Sequence, residues 1–332
     1  WYKTNATRQL LNLPLDPFAG YSSRKVNAGN IQNEGLEISL NGAIFQSPDV
    51  QGFNWNATAQ FSLNRNKIID LYPGVTLYDI KTLDAIQIMA AQGSYYGDIY
   101  GQTFLRVTDK DSPHYGKVIV GDDGLPLISA EKSKVGNQSP DWMLGLTNSF
   151  SYKGFNLSFL VDFRIGGDIY SATASNLFVR GNAAGTVVNG ERQDFVVPNT
   201  VVRKDGGYVE NNVPVTHQNY WERIGSTGNY GLPEVFTYDA TNIRLRNITL
   251  GYTFNRAMLK KTPFQRLNLS ATCNNVWMIH YNLPGIDPES VSATNTNATG
   301  FENGAAPTSR SFTFNVTAVW LVVREPGNLP FS

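Results

Sequence analysis

The chain has 332 residues with 27 basic and 27 acidic side chains, so its net charge is zero and it carries no positive footprint for a nucleic acid. Its longest uninterrupted apolar run, Ala318 to Val323, falls far short of the roughly 18–20 residues of a membrane helix. Helical spans are therefore excluded, whereas membrane strands, whose apolar residues alternate, are not. The single cysteine, Cys273, excludes an intramolecular disulfide framework and a cysteine-rich metal site. The chain opens at Trp1-Tyr2-Lys3 without an initiator methionine or a signal-peptide pattern, so it is expected to be a piece of something longer.

Period-two alternation dominates the chain. Residues 1–9 read as the tail of a strand, and 10–34 as a long connection rich in Gly, Asn and Asp. A weak alternation over 35–45 is followed by a short link, 46–52. From Phe53 the pattern is clear: Phe53, Trp55, Ala57, Ala59, Phe61 and Leu63 on one face, Asn54, Asn56, Thr58, Gln60, Ser62 and Asn64 on the other. A long stretch, 65–140, leads to weaker alternation over 141–152. Lys153-Gly154 then joins this to Phe155, Leu157, Phe159, Val161, Phe163 and Ile165, which alternate with Asn156, Ser158, Asp162 and Arg164. After 167–242, the stretch 243–254 changes face near Arg246-Asn247, which predicts a bulge. The link 255–266, a strand over 267–277 and the long connection 278–308 precede the last strand. There Phe312, Phe314, Val316, Ala318 and Trp320 alternate with Ser311, Thr313, Asn315 and Thr317.

The alternating stretches run about 10–12 residues, against a mode of about 5–6 in globular sheets and about 9–11 for a tilted membrane strand. Short links alternate with long ones, as periplasmic turns and extracellular loops do in an outer-membrane barrel. If the short links share one membrane side, Phe53, Trp55, Tyr152, Phe155, Tyr252, Phe254 and Trp320 form an aromatic girdle there. A soluble sandwich also alternates, but with shorter strands and evenly spaced turns. The fold class is all-β: a transmembrane antiparallel β-barrel whose polar face lines a lumen. Eight strands close only a barrel filled by side chains, so a segment of a wider barrel is the more economical reading for such long loops.

Several stretches resemble the C-terminal part of the SusC/RagA family, the TonB-linked outer-membrane transporters of Bacteroidetes. Asn30-Ile31-Gln32-Asn33-Glu34-Gly35-Leu36-Glu37 is similar to the family's "N-x-G-x-E" lead into a strand. Gly93-Ser94-Tyr95-Tyr96-Gly97 is similar to its "G-x-x-x-G-x-F-Y-G-Y" element. Gly136-Asn137-Gln138-Ser139-Pro140-Asp141, followed by Asn148-Ser149-Phe150-Ser151-Tyr152-Lys153, resembles its "G-N-x-x-P-x … G-x-x-N-x-F-x-Y-K" signature. Asn242 to Tyr252 resembles "Y-L-R-L-K-N-V-T-L-G-Y". Pro284-Gly285-Ile286-Asp287-Pro288-Glu289 and Gly304 to Arg310 match the closing loop and last strand.

The resemblance covers residues 1–320 in order. It implies about eight strands of a larger plugged barrel of the 22-stranded class, with the plug, the energy-coupling box and the earlier strands upstream of Trp1. The long connections 10–34, 65–140, 167–242 and 278–308 are then extracellular loops, and 321–332 is an atypical tail. The implied activity is import of a glycan fragment, or less often a peptide, across the outer membrane. A SusD-like lipoprotein would act as a lid, and the TonB complex would act through the missing N-terminal segment. The alternatives from other classes are a small passive pore and a soluble glycan-binding β module.

No acid, base or nucleophile arrangement points to an enzyme, and no cofactor is expected. His114, His217 and His280 are far apart and read as ordinary loop histidines. Asp109-x-Asp111 and Asp122-Asp123-Gly124 lack the acidic ligand that a calcium loop needs further along, and read as solvated loops. Aromatics in the long loops are the binding candidates: Tyr95, Tyr96 and Tyr100 in one group, Tyr220, Trp221 and Arg223 in another. Aromatic faces stack on apolar sugar faces, and the competing reading is that they pack loop on loop. Asn56, Gln60, Asp162 and Arg164 are expected on the lumen wall, facing plug or substrate.

Overall fold

The structure, a computed structural model, describes residues 1–14, 20, 23–49, 51–187, 190–226, 231–292 and 298–320. The tail expected over 321–332 lies outside the described residues. Eight strands form one antiparallel sheet in chain order: β1 (Tyr2–Pro14), β2 (Ser23–Gln46), β3 (Asn54–Asp70), β4 (Trp142–Tyr152), β5 (Phe155–Ile165), β6 (Asn242–Thr253), β7 (Phe264–Tyr281) and β8 (Ser311–Trp320). Within this sheet each pairs with its neighbours in this order, the far end of β3 also bridging from Lys67 to Tyr95, and no β1–β8 pairing occurs among the described residues.

Register carries the alternation from strand to strand. Trp55 lies opposite Phe150, Ala59 opposite Leu146 and Phe61 opposite Leu144, while Asn56 faces Ser149 and Thr58 faces Thr147. Leu157 pairs with Leu250 and Ser158 with Thr249. Ala271 pairs with Phe314 and Ser270 with Asn315. The sheet thus has one apolar and one polar face. On the apolar face Leu40, Phe155, Leu250, Phe312 and Val316 are exposed, and Phe314 is 81% exposed. Apolar area left in water forfeits about 25 cal/mol per Å², so a face this bare is matched to lipid. No described helix is long and apolar enough to cross a membrane.

The expected bulge is present. Arg246 is skipped in the pairing of β6 with both β5 and β7. Its side chain reaches Asp162 on the polar face, and the extra residue shifts the parity so that Leu245 and Ile248, three residues apart, lie opposite Val161 and Phe159 on the apolar face.

At the short-link end, Lys153 (φ 48) and Gly154 (φ 88) make a two-residue turn, and two positive φ values match the right-handed twist of the flanking strands. A Cβ on Gly154 would lie 2.6 Å from the Thr253 carbonyl oxygen. Aromatic rings crowd this end: Phe45–Phe53 (5.9 Å), Phe53–Phe150 (6.1 Å), Trp55–Phe150 (5.7 Å), Phe155–Tyr252 (4.7 Å) and Tyr252–Phe254 (4.9 Å). Phe45 and Phe150 join the girdle read from the sequence.

The segment 10–34 requires a correction: it is mostly strand, not loop. β1 runs on to Pro14 and β2 starts at Ser23, paired from Tyr2↔Gly35 to Pro14↔Ser23. Strands β3 and β7 likewise extend to Asp70 and Tyr281, beyond the alternating stretches. The reason is that these extensions do not alternate; Arg24 and Lys25 in β2, and Arg65, Asn66 and Lys67 in β3, put polar residues on both faces. Where both faces meet water, nothing imposes a period of two.

The three remaining long connections fold together into one body. Strands Leu77–Leu83, Ile86–Ala91, Asp98–Phe104 and Ile128–Asn137 form a four-stranded sheet, and Asp168–Ser171 pairs with Thr237–Asp239 and Phe301–Glu302. Helices α1 (Ala172–Val179), α2 (His217–Gly225) and α3 (Pro233–Phe236) pack beside them. The shared core takes Ile86, Ile88 and Ile99 from the first connection, Tyr170, Ala172, Ala174 and Phe236 from the second, and Ala298 and Phe301 from the third. Buried Glu302 accepts hydrogen bonds from Ser171 Oγ (2.5 Å) and Thr173 Oγ1 (2.6 Å). Ser171 Oγ in turn accepts from the Ala174 N–H and caps α1.

Candidate functional site at the loop end of the lumen wall

The polar face is built of short amides and hydroxyls that bond across strands. Thr58 donates to Asn41 Oδ1 (2.8 Å), and the Thr249 and Thr272 hydroxyls meet at 2.8 Å. Such a surface leaves its remaining donors and acceptors to water or to a polar ligand. Gly145 leaves an open trough of about 560 Å³ between Glu37, Gln60, Leu160 and Asp162.

An ionic cluster ties the third long connection to this wall. Arg244 is only 4% exposed and grips Asp287 with two nitrogens, its Nη1 also donating to Thr308 Oγ1 (3.0 Å). Thr308 donates to Asp287 Oδ2 through its hydroxyl (2.5 Å) and its backbone N–H (3.0 Å). Arg246 bridges Asp162 on β5 and Glu289, whose two oxygens lie at 2.7 and 2.8 Å. Burial alone would raise the Asp287 carboxyl, but the Arg244 and Thr308 donors outweigh it and hold the group down at about 2. Glu289 is likewise held below its ordinary value, burial being overcome by Arg246 and Arg244.

Where β3, β4 and β5 meet the loop body lies a polar cleft of about 370 Å³. Asn64, Asn66, Asn137, Ser139, Asp168 and Asp239 line it together with Tyr95. Arg65 donates to Asp141 Oδ1 (2.9 Å), and its guanidinium lies 5.8 Å from the centre of the Tyr95 ring. Gly166 and Gly167, both at positive φ, turn the chain out of β5 into the cleft. A Cβ on Gly166 would fall 2.4 Å from Asp141. Burial pushes the Asp168 carboxyl up, Asp239 and Asp141 add to this, and the Asn137 N–H (2.8 Å) opposes it. Amides, carboxylates and one tyrosine ring make a surface suited to hydroxyls or amides, without an apolar slot.

The structure separates the loop aromatics. Tyr95 alone of the first group lines the cleft. Tyr96 packs on Ile68, Leu71 and Ala90, and Tyr100 pairs within the four-stranded sheet. In the second group, Trp221 packs on Phe178 (4.2 Å between ring centres) and Tyr220 on Phe195 (5.4 Å). Arg223 pairs with Asp123 (3.1 Å). Asp162 lies on the wall as expected, committed to Arg246, and Arg164 Nη2 donates to the Gln138 carbonyl (3.3 Å). Among the described residues no group of three or more His, Cys, Asp or Glu could hold a metal ion. Sequence reasoning missed Asp168, Asp239 and the Arg244–Asp287 pair. The Gly166-Gly167-Asp168 turn at the end of a strand was the available signal for the cleft.

No protein-family model matches the chain. It is similar to TonB-dependent receptor P3 of Formosa agariphila, with 28% identity over 95% of this chain and 31% of the relative. It is also similar to the TonB-dependent receptor SusC of Bacteroides thetaiotaomicron, with 23% identity over 82% of this chain and 25% of the relative. Among solved structures, that of the RagAB peptide transporter shares the fold, with a TM-score of 0.64 at 18% identity over 95% of this chain and 32% of the solved one. The chain thus spans about a third or less of the length of the relatives it matches. Taken with the bare apolar face, the polar inner wall and the loop body, these likenesses make the chain similar to a portion of the outer-membrane β-barrel of TonB-dependent receptors such as SusC, with the fold seen in RagAB.

Proposed function

We propose that the receptor containing this chain imports a glycan fragment, or less often a peptide, across the outer membrane. The chain supplies part of the lumen wall, a share of the ligand surface and the loop body on which a SusD-like lipoprotein sits as a lid. Energy comes from the TonB complex acting on a segment outside this chain. The observation that carries this reading is the polar cleft between inner wall and loop body, lined by Asn, Asp and Tyr95, side chains that satisfy hydroxyls while offering one stacking ring. The peptide alternative draws on the RagAB structure, which is described as a peptide transporter.

The small-pore alternative needs β1 to close on β8, a pairing not found among the described residues. The soluble-module alternative conflicts with the exposed Leu40, Phe312 and Phe314. The test is uptake of a fluorescent oligosaccharide and a fluorescent peptide by cells carrying the intact receptor and its lipoprotein. Saturable uptake that disappears when TonB is deleted is expected, and residues 1–332 expressed alone are expected to import neither. Uptake unchanged without TonB contradicts the reading.

A further inference from the structure

The apolar face of the sheet is not uniform. Along β7 its side chains shrink from Leu269 to Ala271 and Cys273, while their neighbours across the sheet stay large. Ala271 lies between Leu250 on β6 and Phe314 on β8, and Cys273 between Ile248 and Phe312. The result is a groove of about 380 Å³ along β7, walled by Phe155, Leu250, Tyr252, Phe314 and Val316 over the small Ala271. From Leu269 to Cys273 the strand covers about 13 Å at ~3.3 Å per residue, close to the roughly 15 Å of hydrocarbon in one leaflet.

The groove runs out at the short-link end, against the 255–266 link. The Tyr252 hydroxyl, on the groove wall, donates to Met258 Sδ in that link (3.5 Å). The link has a fixed shape: Asn255 Oδ1 accepts from the Met258 N–H (3.0 Å), Leu259 is buried, and the Thr262 N–H donates to the Leu259 carbonyl (2.9 Å). It exposes Arg256, Lys260 and Lys261 and carries no acidic residue. Arg256 and Lys260, four residues apart around the turn Arg256–Leu259, share one side. None of the three forms an ion pair among the described residues. Lys153 adds a cation on the neighbouring turn, where Asp49 acts on it electrostatically. Arg266 stands apart, with the parity of Asn268 and Ser270 on the polar face.

An apolar groove that ends at cations without counter-charges complements a molecule with an acyl chain and an anionic head. Free phosphate would leave the groove empty, and a neutral lipid would leave the cations unmatched. Short links face the periplasm in outer-membrane barrels, and the leaflet on that side is made of glycerophospholipid. We propose that the groove and the 255–266 link together hold one anionic glycerophospholipid, an acyl chain lying along β7 and the phosphate at Arg256, Lys260 and Lys261. The site is separate from the polar cleft and independent of what the receptor imports.

The test uses the intact receptor with Val316→Trp as reporter on the groove wall and its native indoles changed to Phe. It is placed in phosphatidylcholine vesicles containing a minor fraction of phosphatidylglycerol, in two preparations that differ only in which lipid carries brominated chains. Brominated phosphatidylglycerol is expected to reach the reporter about fivefold more often than its mole fraction predicts. The combined variant Arg256→Gln, Lys260→Gln, Lys261→Gln should return that ratio to about one, and Ala271→Phe, which fills the groove, should lower it about twofold. A reporter at Leu40→Trp, exposed on the same face of β2 and four strands from β6, should show no preference. The proposal is overturned by equal access of the two lipids to Val316→Trp, or by the same preference at Leu40→Trp. A preference that survives loss of the three cations, or is unchanged by Ala271→Phe, overturns it equally.

Discussion

The Arg244–Asp287 pair shows how much rests on single side chains at the loop end of the wall. Among the described residues Asp287 is the only carboxylate bonded to Arg244 by two nitrogens, in a site where both partners are nearly out of water. Asp287→Asn removes the carboxylate that Arg244 holds with two nitrogens and leaves the buried guanidinium only the more distant Glu289 (3.7 Å), a change near the lower end of the about 3–5 kcal/mol lost when a buried pair is broken. The expected outcome is release of the 278–308 connection, read as new protease cleavage there while the β-barrel wall stays intact. The pH dependence follows from the direction of the shift. With the folded carboxyl held at about 2, the pair's contribution is complete above the ordinary carboxylate range near pH ~4 and is lost as pH falls through the folded value. Protease resistance of 278–308 should therefore be flat from neutral pH down to mild acid and drop only below that. At this scale little was legible. Arg244 and Asp287 are 43 residues apart, and neither type nor spacing announces a pair. Trp221 and Tyr220 were picked out as aromatic, but their partners Phe178 and Phe195 lie in other parts of the connection.

Elements were far more legible, because lipid on one face and water on the other impose a period of two on every strand at membrane depth. The same asymmetry predicts opposite results at adjacent positions. Phe314→Arg places a charge on the bare apolar face and should destabilise the receptor in lipid vesicles by about 2–4 kcal/mol if near the midplane. Asn315→Arg, on the polar face opposite Ser270, should cost much less in the same denaturant titration; equal costs would deny the assignment of faces. Turn chemistry also follows from the chain. Gly154→Val puts a β-branched residue at φ 88 against the Thr253 carbonyl, and a lower yield of folded receptor in outer membranes is expected, with Lys153→Gly tolerated. The alternation gave out where the lipid does: 10–34 reads as a loop because its strands meet water on both faces.

At the scale of the whole molecule, the body formed by the loops was hidden from the sequence. Its core draws on residues as distant as Ile86, Phe236 and Phe301, each in a stretch too short to show periodicity, so only the fold brings them together. If the three connections are one unit, Phe236→Ala, costing about 3–5 kcal/mol for a buried aromatic, should raise hydrogen exchange in 86–104 and 298–302 as well as beside the mutation. A response confined to 233–236 would mean that the loops fold separately.

The central claim is that the eight-stranded sheet is a membrane wall with lipid on one face and a lumen on the other. Tryptophan placed singly at 311–319 of the intact receptor, with Trp320 and the other native indoles replaced by Phe, tests it directly in vesicles containing brominated acyl chains. The account predicts strong quenching at the even positions, including 312, 314 and 316, and weak quenching at the odd positions between them. Quenching without a period of two, or none at all, would contradict it.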